Sequence, residues 1–290
     1  MTVDPFDDEE IRCRLSKIKE LPPLPTSLQR LMEIIHSEVD MPGELESIIS
    51  YDPGLSAKVL AAANSSFYGY RKQVTTLAKA IAIIGTAKVS SICIYTLLLG
   101  LFSNGATISE AHREMLWKHS FASSRIVVAV NRIRSWMNPE EAVLLCLLHD
   151  IGWIAMAAYL SEQFTAVFEK AKRENIPPWF VEMRYGLDHG KLGGLLARRW
   201  ALPEKFTAVM EFHHAPERNT GFETEVGMVH LIDVLSHSSE YPELVDEEPT
   251  LLQCRKLYIS EEEWEGYQEV TAGIWPEVEQ LWSLLGGGLQ

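Results

Sequence analysis

Asn138-Pro139-Glu140-Glu141-Ala142-Val143-Leu144-Leu145-Cys146-Leu147-Leu148-His149-Asp150-Ile151-Gly152 is the stretch that decides the fold class. Asn138 is suited to cap a helix, Pro139 to open its first turn, and the two acids that follow complement its dipole. The helix so started is apolar on every face from Ala142 to Leu148, so it has to sit at the centre of a helical body. It ends on His149-Asp150, two polar groups delivered to the most hydrophobic point of the chain. Burying such a pair is costly unless something binds it.

The pattern around this stretch is helical as well. Downstream, Asp188 caps a candidate helix that begins at His189, Leu202-Pro203-Glu204 opens another, and a third runs from about Glu225 to His237. Upstream, Met115, Leu116, His119, Ser123, Ile126, Val127 and Val130 share one face of a helix of several turns that begins near Ser109. Nearer the start, Leu28, Leu31, Met32 and Ile35 repeat at helical spacing, Asp52-Pro53-Gly54 is a capped start, and Thr75 to Leu101 reads as two helices punctuated by Gly85. No sustained strand-type alternation and no internal repeat is present. The expected fold is all-α: a lead-in over residues 1–17, an N-terminal helical lobe over 18–105 packed on a helical core over 106–240, and an acidic helical extension over 241–290 holding Trp264, Trp275 and Trp282.

Lys and Arg total 26 against 40 Asp and Glu, a formal net charge of −14. That balance disfavours nucleic acid and anionic lipid as partners, since phosphate contacts require a basic surplus. It also outweighs the faint helix-turn-helix look of Gln73 to Lys88. Hydrophobic content of 47% places the chain among ordinary globules rather than disordered or fibrous proteins. The longest greasy stretch, Ile92 to Phe102, is too short to span a bilayer. The four cysteines, Cys13, Cys93, Cys146 and Cys254, form no CxxC and read as reduced thiols. With an acidic N-terminus unlike a signal peptide, these features predict a cytoplasmic protein with no membrane contact.

The chemistry lies in the histidines. His119, His149, His189, His213 and His214 fall on expected core faces, together with Asp150 and with Asp233 inside Val229-His230-Leu231-Ile232-Asp233-Val234-Leu235. Two buried carboxylates and five imidazoles have one common explanation in a metal centre. Nitrogen and oxygen donors without thiolate suit Fe, Mn, Zn or Co and disfavour a structural cysteine-type zinc site. Seven donors are enough for two ions with one carboxylate between them. Asp188 is explained as a helix cap. His36, His112 and His237 read as ordinary surface or packing residues, and His230 as pointing away from the stripe.

The ordered set His119, His149-Asp150-Ile151-Gly152, His189, His213-His214 and Asp233 resembles the HD superfamily of metal-dependent phosphohydrolases, nearest the HD-GYP cyclic-dinucleotide phosphodiesterases. The front half is similar to something narrower. Leu21-Pro22-Pro23-Leu24-Pro25, Asp52-Pro53-Gly54-Leu55-Ser56-Ala57-Lys58-Val59-Leu60, and Ala63-Asn64-Ser65-Ser66-Phe67-Tyr68-Gly69 resemble the opening of an HDOD domain, the HD-related output module of bacterial signalling proteins. Lys79-Ala80-Ile81 and Ile84-Gly85 continue the likeness, which covers about residues 18 to 235.

The resemblance implies an N-terminal lobe on an HD-like bundle. In it, His119, His149, Asp150 and Asp233 hold one metal, while Asp150 bridges to a second held by His189, His213 and His214. Asp150 would be the catalytic residue, placing a metal-bridged water. Two departures bear on activity. The phosphodiesterases carry a lysine after the His-Asp-Ile-Gly run where this chain has Trp153. Their Gly-Tyr-Pro loop is replaced by Ala215-Pro216-Glu217-Arg218-Asn219-Thr220-Gly221-Phe222. The expectation is therefore a signalling module that retains two transition-metal ions, iron favoured with manganese or zinc as alternatives, works through a protein partner, and turns over cyclic dinucleotides poorly. The alternative is a metal-dependent phosphodiesterase or nucleotide phosphatase, with Lys191, Arg198 or Arg199 gripping phosphate. A di-iron redox sensor is a minor third reading.

Overall fold

Asn138 caps its helix as its sequence demands: Oδ1 accepts the backbone N–H of Glu141 at 3.0 Å, and the helix runs Pro139–Leu148. The computed structural model describes residues 23–36, 41–65, 68–70, 72–101, 108–219 and 221–285. Among them are sixteen α-helices, two short 3-10 turns and no strand, so the all-α expectation holds. In chain order the helices are α1 (Thr26–His36), α2 (Met41–Ser50), α3 (Pro53–Ala63), α4 (Leu77–Ile84), α5 (Thr86–Leu101), α6 (Glu110–Ile133), α7 (Pro139–Leu148) and α8 (Ile151–Tyr159). There follow α9 (Ser161–Glu174), α10 (Pro178–Arg184), α11 (His189–Arg199), α12 (Glu204–Phe212), α13 (Glu223–His237), α14 (Glu248–Lys256), α15 (Glu261–Ala272) and α16 (Trp275–Leu285). The expected readings of residues 1–22, of Ser66, Phe67, Phe102 and Thr220, and of the Ile35 and His36 side chains lie outside the described residues.

The described residues divide into two units, one made from residues 24–100, 117–147 and the chain from 260 onward, the other from 101–116 and 148–259. In the first, Asp52 caps α3 with Oδ1, which accepts from the backbone N–H groups of Gly54 at 2.8 Å and Leu55 at 3.1 Å, and Pro53 opens the turn. Asn64 closes α3 by pairing with both backbone groups of Val74, accepting from its N–H at 2.7 Å and donating to its C=O at 2.8 Å. Helices α4 and α5 meet at Gly85 with a bend of 109°. The core of this unit is aromatic: Trp117 stacks on Phe121 at 4.8 Å, Tyr95 meets Trp117 edge-on, and Trp282 of α16 lies against Trp117 at 5.5 Å. Each such pair contributes about 0.5–1.5 kcal/mol beyond area burial. Trp264 and Trp282 are both buried, so these two tail tryptophans serve packing.

In the second unit, α8 is apolar throughout, with Ile151 to Ala157 all buried. The run Pro139–Tyr159 is long and apolar enough to cross a membrane, longer than the Ile92 to Phe102 stretch singled out from the sequence, and 89% of its window is buried in protein. Helix α11 packs on both α8 and α12, and the approach to α8 is unusually close. A Cβ on Gly152 would stand 1.8 Å from the carbonyl oxygen of His189 and 2.9 Å from the backbone nitrogen of Gly193. Only a hydrogen side chain lets the two backbones meet this way. Gly152 thus brings the N-terminus of α8, which carries Asp150, onto the N-terminus of α11, which carries His189.

Candidate metal centre

Asp150 occupies the N-cap position of α8 but makes no capping bond with its side chain. The carboxylate turns instead into the interior, where Oδ1 lies 3.0 Å from His189 Nε2 and 3.3 Å from His213 Nε2. His189 opens α11, whose cap is supplied by Asp188: Oδ1 accepts the Lys191 N–H at 2.9 Å, as the sequence predicts. His213 ends α12 and His214 follows it. Ligand atoms of Asp150, His189, His213 and His214 all lie within 4.8 Å of one another.

The tautomers of the two central imidazoles follow from their outer bonds. His213 Nδ1 donates to the backbone carbonyls of Met210 at 3.0 Å and Val209 at 3.2 Å. His189 Nδ1 donates to Glu182 Oε1 at 2.5 Å. Both Nε2 atoms therefore turn inward, toward each other at 3.2 Å and toward the Asp150 carboxylate. A cation completes this point, either the proton that the Glu182 and Asp150 carboxylates favour on His189 or a metal ion that displaces it. Donors about 2.0–2.2 Å from one ion, spread over octahedral to tetrahedral angles, are separated by roughly 2.8–3.6 Å. The three separations found, 3.0, 3.2 and 3.3 Å, fit a metal ion without rearrangement.

A second group adjoins the first. His149 Nε2 lies 3.7 Å from Asp150 Oδ1 and 3.5 Å from Asp233 Oδ1, and His214 Nδ1 lies 3.4 Å from Asp233 Oδ2. Asp233 projects from the middle of α13 and is buried. Six of the seven residues singled out from the sequence, His149, Asp150, His189, His213, His214 and Asp233, are thus assembled within one unit. His119 is buried on α6 in the other, its backbone carbonyl accepting the Ser123 hydroxyl at 2.9 Å. His230 donates Nδ1 to the His213 carbonyl at 2.7 Å, away from the carboxylates as expected.

Two residues were not legible as parts of the site. His237, expected to be ordinary, places Nε2 3.5 Å from Asp233 Oδ1 one turn along α13. Its signal is the i,i+4 spacing from Asp233. Glu182 on α10 is 2% exposed and bonded to His189 twice, through Nδ1 and through the backbone N–H at 3.0 Å. Its signal is a lone carboxylate three residues after Trp179, on the buried side of a short Pro-initiated helix.

Electrostatics follow burial. Burial raises the Glu182 carboxyl above its ordinary value, opposed by His189. Burial works to depress His189, and the Glu182 and Asp150 carboxylates overcome it, pushing the imidazole up to about 10. Burial and the neighbouring His213 hold His214 well below its usual value, so it is a neutral donor. Two indoles wall the site: Trp153 stacks on His189 with 4.3 Å between centroids, and Trp179 stacks on His214 at 4.5 Å. Trp153 is backed by Phe168 at 4.9 Å, and His112 packs on Phe164 and Phe168. Of the basic residues nearest in sequence, Lys191 pairs with Asp188 at 3.1 Å and Arg198 with Glu211 at 2.5 Å.

Known proteins share this architecture. A crystal structure of an HDOD domain protein of unknown function from Geobacter sulfurreducens superposes with a TM-score of 0.72 at 21% identity, covering 96% of each chain. A candidate signal-transduction protein from Marinobacter aquaeolei VT8 gives 0.76 at 18% identity over all of this chain and 67% of that one. A candidate phosphohydrolase from Shewanella amazonensis SB2B gives 0.66 at 21% identity, covering 96% of this chain and 98% of that one. At such identities the likeness is one of fold. An uncharacterised protein of Treponema pallidum (strain Nichols) is 24% identical over 211 residues, 69% of this chain and 40% of the relative, so the chain spans less than half the length of that relative. Residues 21–216, from the proline-rich opening to the turn just after the paired histidines, match the HDOD domain, and the chain belongs to the HDOD domain family.

Proposed function

We propose that this protein is a signalling output module that binds two transition-metal ions in its HD-like core and hydrolyses cyclic dinucleotides poorly or not at all. The observation that carries this reading is the stack of Trp153 on His189. The donors for a metal are converged, yet an indole stands where the phosphodiesterases that the sequence resembles have a phosphate-contacting lysine. Lys191 and Arg198, two of the three basic candidates, pair with Asp188 and Glu211 instead.

In this reading His189, His213, His214 and Asp150 hold one ion. His149 and Asp233 hold the other, with His119 as the further ligand expected from sequence and Asp150 shared. Iron is the favoured metal, with manganese or zinc as alternatives, because the donors are imidazole and carboxylate with no thiolate among them. Bound metal would supply charge neutralisation and water activation. Asp150 would orient the water, and the two indoles would restrict access to it. The site works in the cytoplasm by transmitting a signal to a protein partner.

Purified protein loaded with Fe, Mn or Zn is expected to hydrolyse cyclic di-GMP, cyclic di-AMP and bis(p-nitrophenyl) phosphate no faster than the free metal. Turnover that is abolished by Asp150→Asn would overturn the signalling reading in favour of a metal-dependent phosphohydrolase.

A further inference from the structure

We propose that Glu182 is a positioning residue of the metal centre, fixing His189 in the one tautomer and orientation in which it can ligate. The inference rests on the metal-centre reading above and concerns a residue outside the ligand set.

The Glu182 carboxylate spends both oxygens on a single residue. Oε1 accepts from the imidazole Nδ1 at 2.5 Å, and Oε2 accepts from the His189 backbone N–H at 3.0 Å. The second bond ties α10 to the first residue of α11, and the first sets the ring's rotation about its own side chain. Because the Nδ1 proton is committed to Glu182, Nε2 is the nitrogen left to ligate, and it faces Asp150 Oδ1 at 3.0 Å. Trp153 holds the ring plane from one side. A stack constrains tilt but not which nitrogen carries the proton, and the carboxylate does that.

Burying a carboxylate at 2% exposure is costly, and a helix start alone does not require it, since Asp188 already caps α11. The cost is explained if the negative charge raises the donor strength of His189 toward a cation. Carboxylates that accept the outer N–H of a ligating histidine commonly change metal affinity by about 10–100-fold. A glutamine cannot replace the carboxylate. If its amide oxygen takes the Nδ1 proton, its NH2 group confronts the His189 backbone N–H. If the amide is reversed, it donates to Nδ1 and drives the imidazole proton to Nε2, where it blocks the metal.

The test compares wild type, Glu182→Gln and Glu182→Ala by competition against a chromophoric chelator for Zn and Co(II), with the Co(II) ligand-field spectrum recorded for each. Circular dichroism of the metal-free proteins serves as the folding control. Both variants are expected to keep their helicity, to lose about 10–100-fold in affinity for one ion per chain, and to show an altered Co(II) spectrum. Wild-type affinity and an unchanged spectrum in Glu182→Gln would overturn the proposal while leaving the metal centre standing. Failure of the wild type itself to bind either ion would overturn both. Should the variants unfold, 15N-histidine NMR of the metal-loaded wild type decides: a protonated Nδ1 on His189 supports the proposal, and a bare Nδ1 overturns it.

Discussion

His189 Nε2 and His213 Nε2 face each other at 3.2 Å, each with its Nδ1 proton committed to an acceptor on the far side of its ring. Two imidazole nitrogens held this way, with the Asp150 carboxylate beside them, form an arrangement that a cation completes. Most of what the protein is expected to do follows from that relationship.

Asp150→Asn should empty the site while leaving the fold standing. The carboxamide keeps the shape of the carboxylate and offers N–H donors to the same imidazole nitrogens, so the metal-free protein loses little. The bound-ion count, measured by elemental analysis after desalting, should fall to background. Retention of both ions would show that Asp150 is not shared between them.

Metal removal should cost stability. An ion present at about 100 times its dissociation constant adds roughly 2.7 kcal/mol. For a chain of this size that corresponds to a melting temperature lower by about 5–11 °C on adding excess chelator. Differential scanning calorimetry with and without EDTA measures the shift, and coincident transitions would refute ligation by the folded protein.

Gly152→Ala should be among the most damaging single-methyl changes available. The new Cβ meets the His189 carbonyl oxygen at 1.8 Å, so α8 and α11 have to separate, at a cost of about 3 kcal/mol or more. Gly266, inside α15, has nothing within 4 Å of its Cβ position. There the same substitution should stabilise by roughly 0.5–1 kcal/mol through helix propensity. Urea denaturation of the pair checks both signs, and equal effects would contradict the packing described.

The start of α15 should confer a small acid sensitivity. Ser260 and Glu263 form a reciprocal capping box, and the Ser260 N–H bonded to the Glu263 carboxylate holds its pKa below the ordinary value. A carboxylate depressed in the folded state adds stability that is present above its unfolded pKa and is lost as pH falls through the folded one. Glu263→Gln should remove this small contribution at neutral pH and flatten the stability profile below the ordinary carboxylate range, where the wild type loses it. An unaltered acid limb would show that the cap is not populated in solution.

Much of this was legible in the residues alone, because the signals were local. Asn138-Pro139 and Asp52-Pro53 are caps whose side chains bond the backbone two or three residues on, and both helices start where those pairs stand. Asp188 likewise proved to be a cap. Between Ala155 and Tyr185 the helical mark is confined to α9, where Phe164, Val167, Phe168 and Ala171 share a buried face. Helix α8 is buried from Ile151 to Ala157 and has no polar face to show periodicity, so it carries no amphipathic mark.

Glu182 was not legible because its role depends on where α10 brings it, against the start of α11. His237 was missed for another reason: at the end of α13, one turn beyond Asp233, it resembles a helix-terminal histidine, and only the side-chain distance shows where it points. His149, Asp150, His189, His213, His214 and Asp233 were found because buried charge needs a common partner, an argument that requires no coordinates.

The most direct test of the central claim is the metal content of untagged protein, with His149→Ala purified in parallel. The account predicts close to two transition-metal ions per chain in the wild type and a clear loss in the variant. Wild-type protein that carries no metal and takes up none on reconstitution, with a variant of equal stability, would contradict it.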